Sequence, residues 1–371
     1  MSNKQAWDVR YHIIDDMKIT GQGGSDEDIA ANAKLRAEVR KRRYSITCMA
    51  FHPGRGSIFC GVTNTGMNIL HEFSLKSGKF RSTGFQKFGE DNEVKIHKGL
   101  WLDEQENALY FGTATLSDIP KLIEAPGGKL VRYDIDAKKF ENLGIPVTGS
   151  YIQATNYDKQ RQLMYSFSIW DLNFSVWSLK KNKLRRTHPM GSIVHIAGVD
   201  DDGGIWGTYA VNKHAFFRYD PDKDSFTCPP DCALPSARKA ANLMYAGAGP
   251  VDSMINGGDG LMYVGSAMGE LYSLDPKTFE IQYLGRPFPA NRMPSLVIGA
   301  DGLIYGVGGD DNATSVFRYD RQSRAFEVLG RVAAGDITCY RPHELLIVGR
   351  TAYVGETDNP KRSGYLWECR F

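Results

Sequence analysis

The sequence predicts an all-β fold, a seven-bladed β-propeller of four-stranded blades, and three observations carry that expectation. A short motif, an apolar residue, an aromatic and then a Gly- or Ser-rich strand end, occurs seven times along the chain. Strand-like runs flank the copies, and many of them stop at Asp- or Gly-rich turns. Glycine, at 39 residues, and the 18 Tyr and 18 Phe stand out from a composition otherwise ordinary for a packed protein. Such a composition suits many short strands joined by tight turns.

The motif runs through Ile58-Phe59-Cys60-Gly61, Leu109-Tyr110-Phe111-Gly112, Met164-Tyr165-Ser166 and Ile205-Trp206-Gly207. It continues as Met262-Tyr263-Val264-Gly265, Ile304-Tyr305-Gly306 and Ala352-Tyr353-Val354-Gly355. An earlier strand is expected before each copy, as at 193–199 ahead of Asp200-Asp201-Asp202-Gly203. A third strand follows, and three of these, at 129–135, 215–220 and 315–320, carry Arg-Tyr-Asp. Fourth strands are expected at 140–143, 279–284 and 325–329. Four strands in each unit of roughly 40 to 57 residues is the spacing of a propeller.

The last unit stops at Phe371 without a fourth strand. The alternating segment 6–14 is expected to supply it and so leave no long open edge. Between that segment and the blades, 25–43 reads as a helix. It has Asp26, Glu27 and Asp28 in its first turn and Arg40-Lys41-Arg42-Arg43 in its last, as a helix dipole favours. The expected organisation is one domain over 1–371, with 1–44 closing the ring and 45–371 forming blades.

Lys and Arg number 45 against 43 for Asp and Glu, a net charge of +2, so no basic footprint for nucleic acid is present. No leader-like run opens the chain, and no stretch approaches the roughly 18–20 apolar residues of a membrane span. A cytoplasmic protein with no membrane partner is expected, with a secreted form whose leader has been trimmed as the alternative. The six cysteines are scattered; only Cys228 and Cys232 are close. A single C-x3-C is a weak zinc signal, so reduced thiols are expected in preference to a zinc site or a disulfide framework. Gly-x-Ser-x-Gly elbows, phosphate loops and dinucleotide fingerprints are absent from the sequence.

In such a ring the first strands start, and the second strands end, at one face. The strand starts bring His97 and Lys98, Tyr151 and Gln153, His195, Asp252, Arg292 and Tyr340 to it. The loops add Trp170, Asp171 and Asn173, together with Asp118, Lys213, His214, Asp310, Asp311, Asn312, Glu356 and Asp358. Two insertions, 115–128 and 229–250, stand there as walls or lids. Polar residues are usual at a wet channel mouth. Imidazoles, a phenol and a guanidinium converging from different blades can in addition hold an anionic sugar and move a proton. His52 and His71 read as structural, and His188 and His343 have no nameable partner.

The whole chain resembles the seven-bladed propeller lyases of uronate-containing polysaccharides, the ulvan and rhamnose–glucuronate lyases. The resemblance rests on Lys95-Ile96-His97 leading to Asp103, on Tyr110-Phe111-Gly112-Thr113 and on Gly127 to Asp134. It extends to Leu143-Gly144-Ile145-Pro146, Tyr151-Ile152-Gln153 and His195. It implies a carbon–oxygen lyase acting by β-elimination on uronate-containing oligosaccharides. The carboxylate is neutralised, a base removes the C5 proton, and an acid protonates the leaving oxygen. By position, the resemblance makes His97 the neutraliser or base and Tyr151 the base or acid, with His195 and Arg292 clamping the carboxylate. Lys98, Gln153, Trp170, Asn173, Asp252 and Tyr340 are the candidate substrate-binding residues. Two departures stand out: Ala114-Thr115-Leu116-Ser117 and Ser166-Phe167-Ser168 occupy stretches where the family places a second His and an Arg.

No cofactor is expected. The alternative is a divalent metal on His97, Gln153 and His195, a set similar to the metal site of oligogalacturonate lyases. Two other readings remain open at this level: a non-catalytic propeller that binds a sugar or a protein, and a glycoside hydrolase of the same fold.

Overall fold

The computed structural model describes residues 7–15, 41–116, 125–235, 249–309 and 312–371. All seven aromatic motifs fall in strands with almost no exposed positions, for example Ala108–Ala114, Met262–Ser266 and Ile304–Gly308. A strand buried on both faces cannot alternate apolar with polar, which is why these runs read as continuous. The last strand of a unit behaves oppositely. Lys139–Gly144 and Ala325–Arg331 have only exposed and half-buried positions, as suits a rim strand with one wet face.

The described strands form antiparallel sheets in sequence order, four strands at a time. One such sheet is Tyr151–Asp158, Leu163–Ile169, Asn173–Ser178 and Lys183–Pro189. The first two groups of four are fused into one eight-stranded sheet by a single pair, Thr63 with Lys95. First strands touch in chain order. Ser45–His52 contacts Lys95–Asp103, which contacts Tyr151–Asp158, and so on until Pro342–Val348 returns to Ser45–His52. Apolar clusters fill the spaces between neighbouring sheets, as where Tyr165, Phe174 and Tyr219 pack together.

The closing strand is observed as Asp8–His12, paired with Leu366–Arg370. Its attachment is more than a ladder. Arg10 and His12 both reach Glu368, at 2.7 and 2.8 Å, and Tyr11 stacks on Tyr365 at 4.6 Å. The helix expected over 25–43 lies outside the described residues except at 41–43.

Arg-Tyr-Asp is a turn device. The Asp134, Asp220 and Asp320 carboxylates accept backbone N–H bonds from Ala137, from Asp222 and Lys223, and from Gln322. Aspartate at a strand end thus satisfies the turn that follows it.

Candidate functional site

Five of the ladders between a first and second strand slip at nearly the same place, while those of Gly198–Val199 and Ser295–Ile298 show no shift. The shifts fall between Ile46 and Cys48, Ile96 and Leu100, Ile152 and Ala154, Val251 and Ser253, and Pro342 and Glu344. Residues left out of register are Thr47, His97 to Gly99, Gln153, Asp252 and His343. A bulge frees its residue from the pleat and re-aims the side chain. Repeated around the ring, it gives a polar collar at one level of the axis.

The second unit carries the largest bulge, three residues long. Lys98 has φ 40° and Gly99 φ 138°, and a Cβ on Gly99 would overlap the Thr155 hydroxyl and backbone. This excursion sends the Lys98 ammonium to the carbonyls of Pro294 at 2.8 Å and His343 at 2.9 Å. Both belong to sheets that are not its neighbours in the ring.

Three imidazoles meet beside it. His97 Nδ1 lies 2.8 Å from the Gln153 carbonyl, and the Gln153 amide nitrogen lies 2.9 Å from His195 Nδ1. The rings of His97 and His195 are 4.8 Å apart, and those of His97 and His343 are 5.1 Å apart. The Nδ1 of His343 is buried with no hydrogen-bond partner. Asp252 holds Arg292 through both Nε and Nη2, at 2.7 and 3.0 Å, while Ser295 donates to Glu344 at 2.6 Å.

Burial holds all three imidazoles well below the usual histidine range, and the cations Lys95, Lys98 and Arg292 add to that push. They are therefore neutral. Two of them have a tautomer set by a partner: His97 donates from Nδ1 to the Gln153 carbonyl, leaving Nε2 basic. With the Gln153 amide donating to its Nδ1, His195 carries its proton on Nε2. Burial also lowers Lys98, brings Lys95 down to about 8, and raises Glu344.

A cavity of about 360 Å³ extends from Lys98, His195 and Glu344 along the downstream halves of the first strands. Its walls are largely apolar, with Leu100, Trp101, Met254, Ile255, Leu296 and Leu346 prominent.

His97, Lys98, Gln153, His195, Asp252 and Arg292 thus come together. Other expected members do not. Tyr151 is fully buried and accepts from Asn92 at 2.6 Å; burial pushes its hydroxyl up to about 12. Arg292 has Nε and Nη2 engaged by Asp252. Trp170 is 50% exposed at the rim, and Asn173 is tied to Asp171 at 2.7 Å. The Tyr340 ring lies 5.3 Å from the Arg341 guanidinium, with its backbone N–H on Glu356. Glu356 is a structural hub, fully buried against Arg362, Asn359 and Trp367. Asp118, Asp310, Asp311 and much of both insertions lie outside the described residues.

Sequence reasoning missed His343, Lys95 and Glu344. The available signal was positional, because His343 is second in its strand just as Asp252 is in Val251–Asn256.

A divalent metal fits this collar poorly. Three cations surround it, and both Nδ1 atoms of the His97–Gln153–His195 set are already hydrogen-bonded. Among the described residues, no group of three or more His, Cys, Asp or Glu side chains is disposed to hold a metal ion. No helix among them is long and apolar enough to cross a membrane. All six cysteines are free thiols, with Cys228 exposed and the other five buried.

The sheets and the polar collar they surround define a β-propeller with a constricted axis. No family model matches the chain, and no curated protein matches it. Among solved structures, it is similar to virginiamycin B lyase from Staphylococcus aureus, with a TM-score of 0.65 at 13% identity, over 99% of this chain and 100% of that one. A catalytically inactive variant of that enzyme with quinupristin gives a TM-score of 0.65 at 12% identity, over the same shares. U3-55K gives 0.58 at 11% identity over 98% of each chain. At these identities the likeness is one of fold.

Proposed function

We propose that this chain is a seven-bladed propeller lyase that breaks carbon–oxygen bonds in uronate-containing oligosaccharides by β-elimination at the collar. Support for the seven blades comes from the seven first strands that touch in a closed sequence. Support for the chemistry comes from one observation above the rest: two neutral imidazoles, 4.8 Å apart, hold complementary tautomers around Gln153.

The steps follow from those tautomers. Lys95 and the Nε2–H of His195 neutralise the uronate carboxylate, which acidifies the neighbouring C5–H. Nε2 of His97 takes that proton. The electron pair forms the C4–C5 double bond, the C4–O bond breaks, and the departing oxygen recovers the proton from the His97 imidazolium. No proton is gained or lost overall. Arg292, locked to Asp252, contributes positive potential. Virginiamycin B lyase, of similar fold, is by its name a lyase, which makes this class of reaction reasonable for the scaffold.

Mixing the protein with uronate oligosaccharides should raise ultraviolet absorbance as the conjugated double bond forms. A second reading, a propeller that binds such sugars without cleaving them, draws on the burial of the collar, where His97 is only 4% exposed. A raised melting temperature with no absorbance change would favour that reading.

A further inference from the structure

The cavity below the collar has a chemistry of its own. One end is charged: Lys98 spends two of its three N–H donors on the Pro294 and His343 carbonyls, and His195 and Glu344 stand beside it. The remainder is mostly apolar, walled by Trp101, Met254, Ile255, Leu296 and Leu346, with Asn156, Ser253 and Asn256 among its polar members. Trp101, Ile255, Val297 and Leu346 are half-buried, so the downstream end meets solvent.

Sugars would find few partners on such walls, since each hydroxyl that loses water without replacement costs free energy. At about 360 Å³ the cavity lies at the small end of the range for small-molecule sites. The sign of the closed end is set by Lys95, Lys98 and Arg292 against Asp252 and Glu344. Asp252 is already paired with Arg292 at 2.7 and 3.0 Å, and Glu344 accepts from the Ser295 hydroxyl at 2.6 Å, while burial raises Glu344 towards its neutral form.

We infer that this cavity binds an amphipathic monocarboxylate, with its carboxylate on the third N–H of Lys98 and its apolar body along the downstream walls. The site does not rest on the lyase reading: it is argued from Lys98 and the cavity walls, and His195 at its charged end is the one residue the two share.

Calorimetric titration with decanoate, decanol and decyltrimethylammonium, on the full chain, tests this. Decanoate should bind one per chain and about tenfold or more tighter than decanol, the factor a charge-assisted hydrogen bond supplies. Decyltrimethylammonium should show no saturable binding. In Lys98→Met, decanoate should fall to the affinity of decanol, which itself should stay within about twofold of its wild-type value. Equal affinity of the three probes for the wild type would overturn the inference, as would several decanoates per chain or unaltered decanoate binding in Lys98→Met. If Lys98→Met does not fold, the wild-type series decides by the same criteria. Uronate turnover is read separately, so its absence leaves this result standing.

Discussion

The Gln153 side-chain amide donates to Nδ1 of His195 at 2.9 Å, and this bond sets which nitrogen of His195 can face a substrate. Through its backbone carbonyl the same glutamine orients His97. Removing only the side chain takes this bond from the His195 ring while leaving the His97 contact in place. Gln153→Ala should therefore lower kcat about 10- to 100-fold with little change in KM, the effect of mis-setting a positioned group. The melting temperature should move little, and a kcat equal to wild type would remove Gln153 from the account.

Acid should unfold this protein through its buried imidazoles. His97, His195 and His343 are held well below their ordinary range, and burial takes His71 down to about 4. In the unfolded chain each takes up a proton near pH 6.5. More protons are then bound unfolded than folded, so stability is lost as pH falls through about 6.5. The loss is about 1.4 kcal/mol per group per pH unit until the folded value is reached. Urea midpoints measured from pH 7.5 to 5 should show this decline, and His71→Asn should reduce its slope by about one proton.

Gly99 carries the conformational cost of the large bulge. Its φ of 138° and its contact with Thr155 leave no room for a methyl group. Gly99→Ala should destabilise by about 2–4 kcal/mol and displace Lys98 from its two carbonyls. Gly149, with φ 74° and open space around it, serves as the control. Gly149→Ala should cost only about 1 kcal/mol.

Glu356 tests the structural assignment. Its carboxylate accepts from Arg362, Asn359, Trp367 and the backbone N–H of Tyr340 and Tyr365. Arg362→Met leaves that buried carboxylate without its cation and should cost about 3–5 kcal/mol. Equilibrium unfolding of the variant measures it. Any remaining lyase activity per folded molecule should be unchanged.

Much of the ring was readable because its signals are local. A second strand buried on both faces must be apolar throughout, so Leu109-Tyr110-Phe111 and its counterparts declared themselves. The closing strand could be placed near 6–14 by alternation, and it is observed at Asp8–His12. The site was less readable because bulges break alternation. Tyr151 and Gln153 are two apart and should share a face, yet the slip after Ile152 turns Gln153 to the collar while Tyr151 packs under Asn92. His343 was overlooked for the same reason: only the register shift at Pro342/Glu344 shows that it belongs beside His97.

The most direct measurement compares initial rates of ultraviolet absorbance increase on one uronate oligosaccharide for the wild type, His97→Gln and Tyr151→Phe. The wild type should turn over, Tyr151→Phe should keep most of that rate, and His97→Gln should lose about 10²–10⁴-fold while keeping its fold by circular dichroism. A wild type that leaves the absorbance flat, or a His97→Gln rate equal to it, would contradict the collar as the seat of the chemistry.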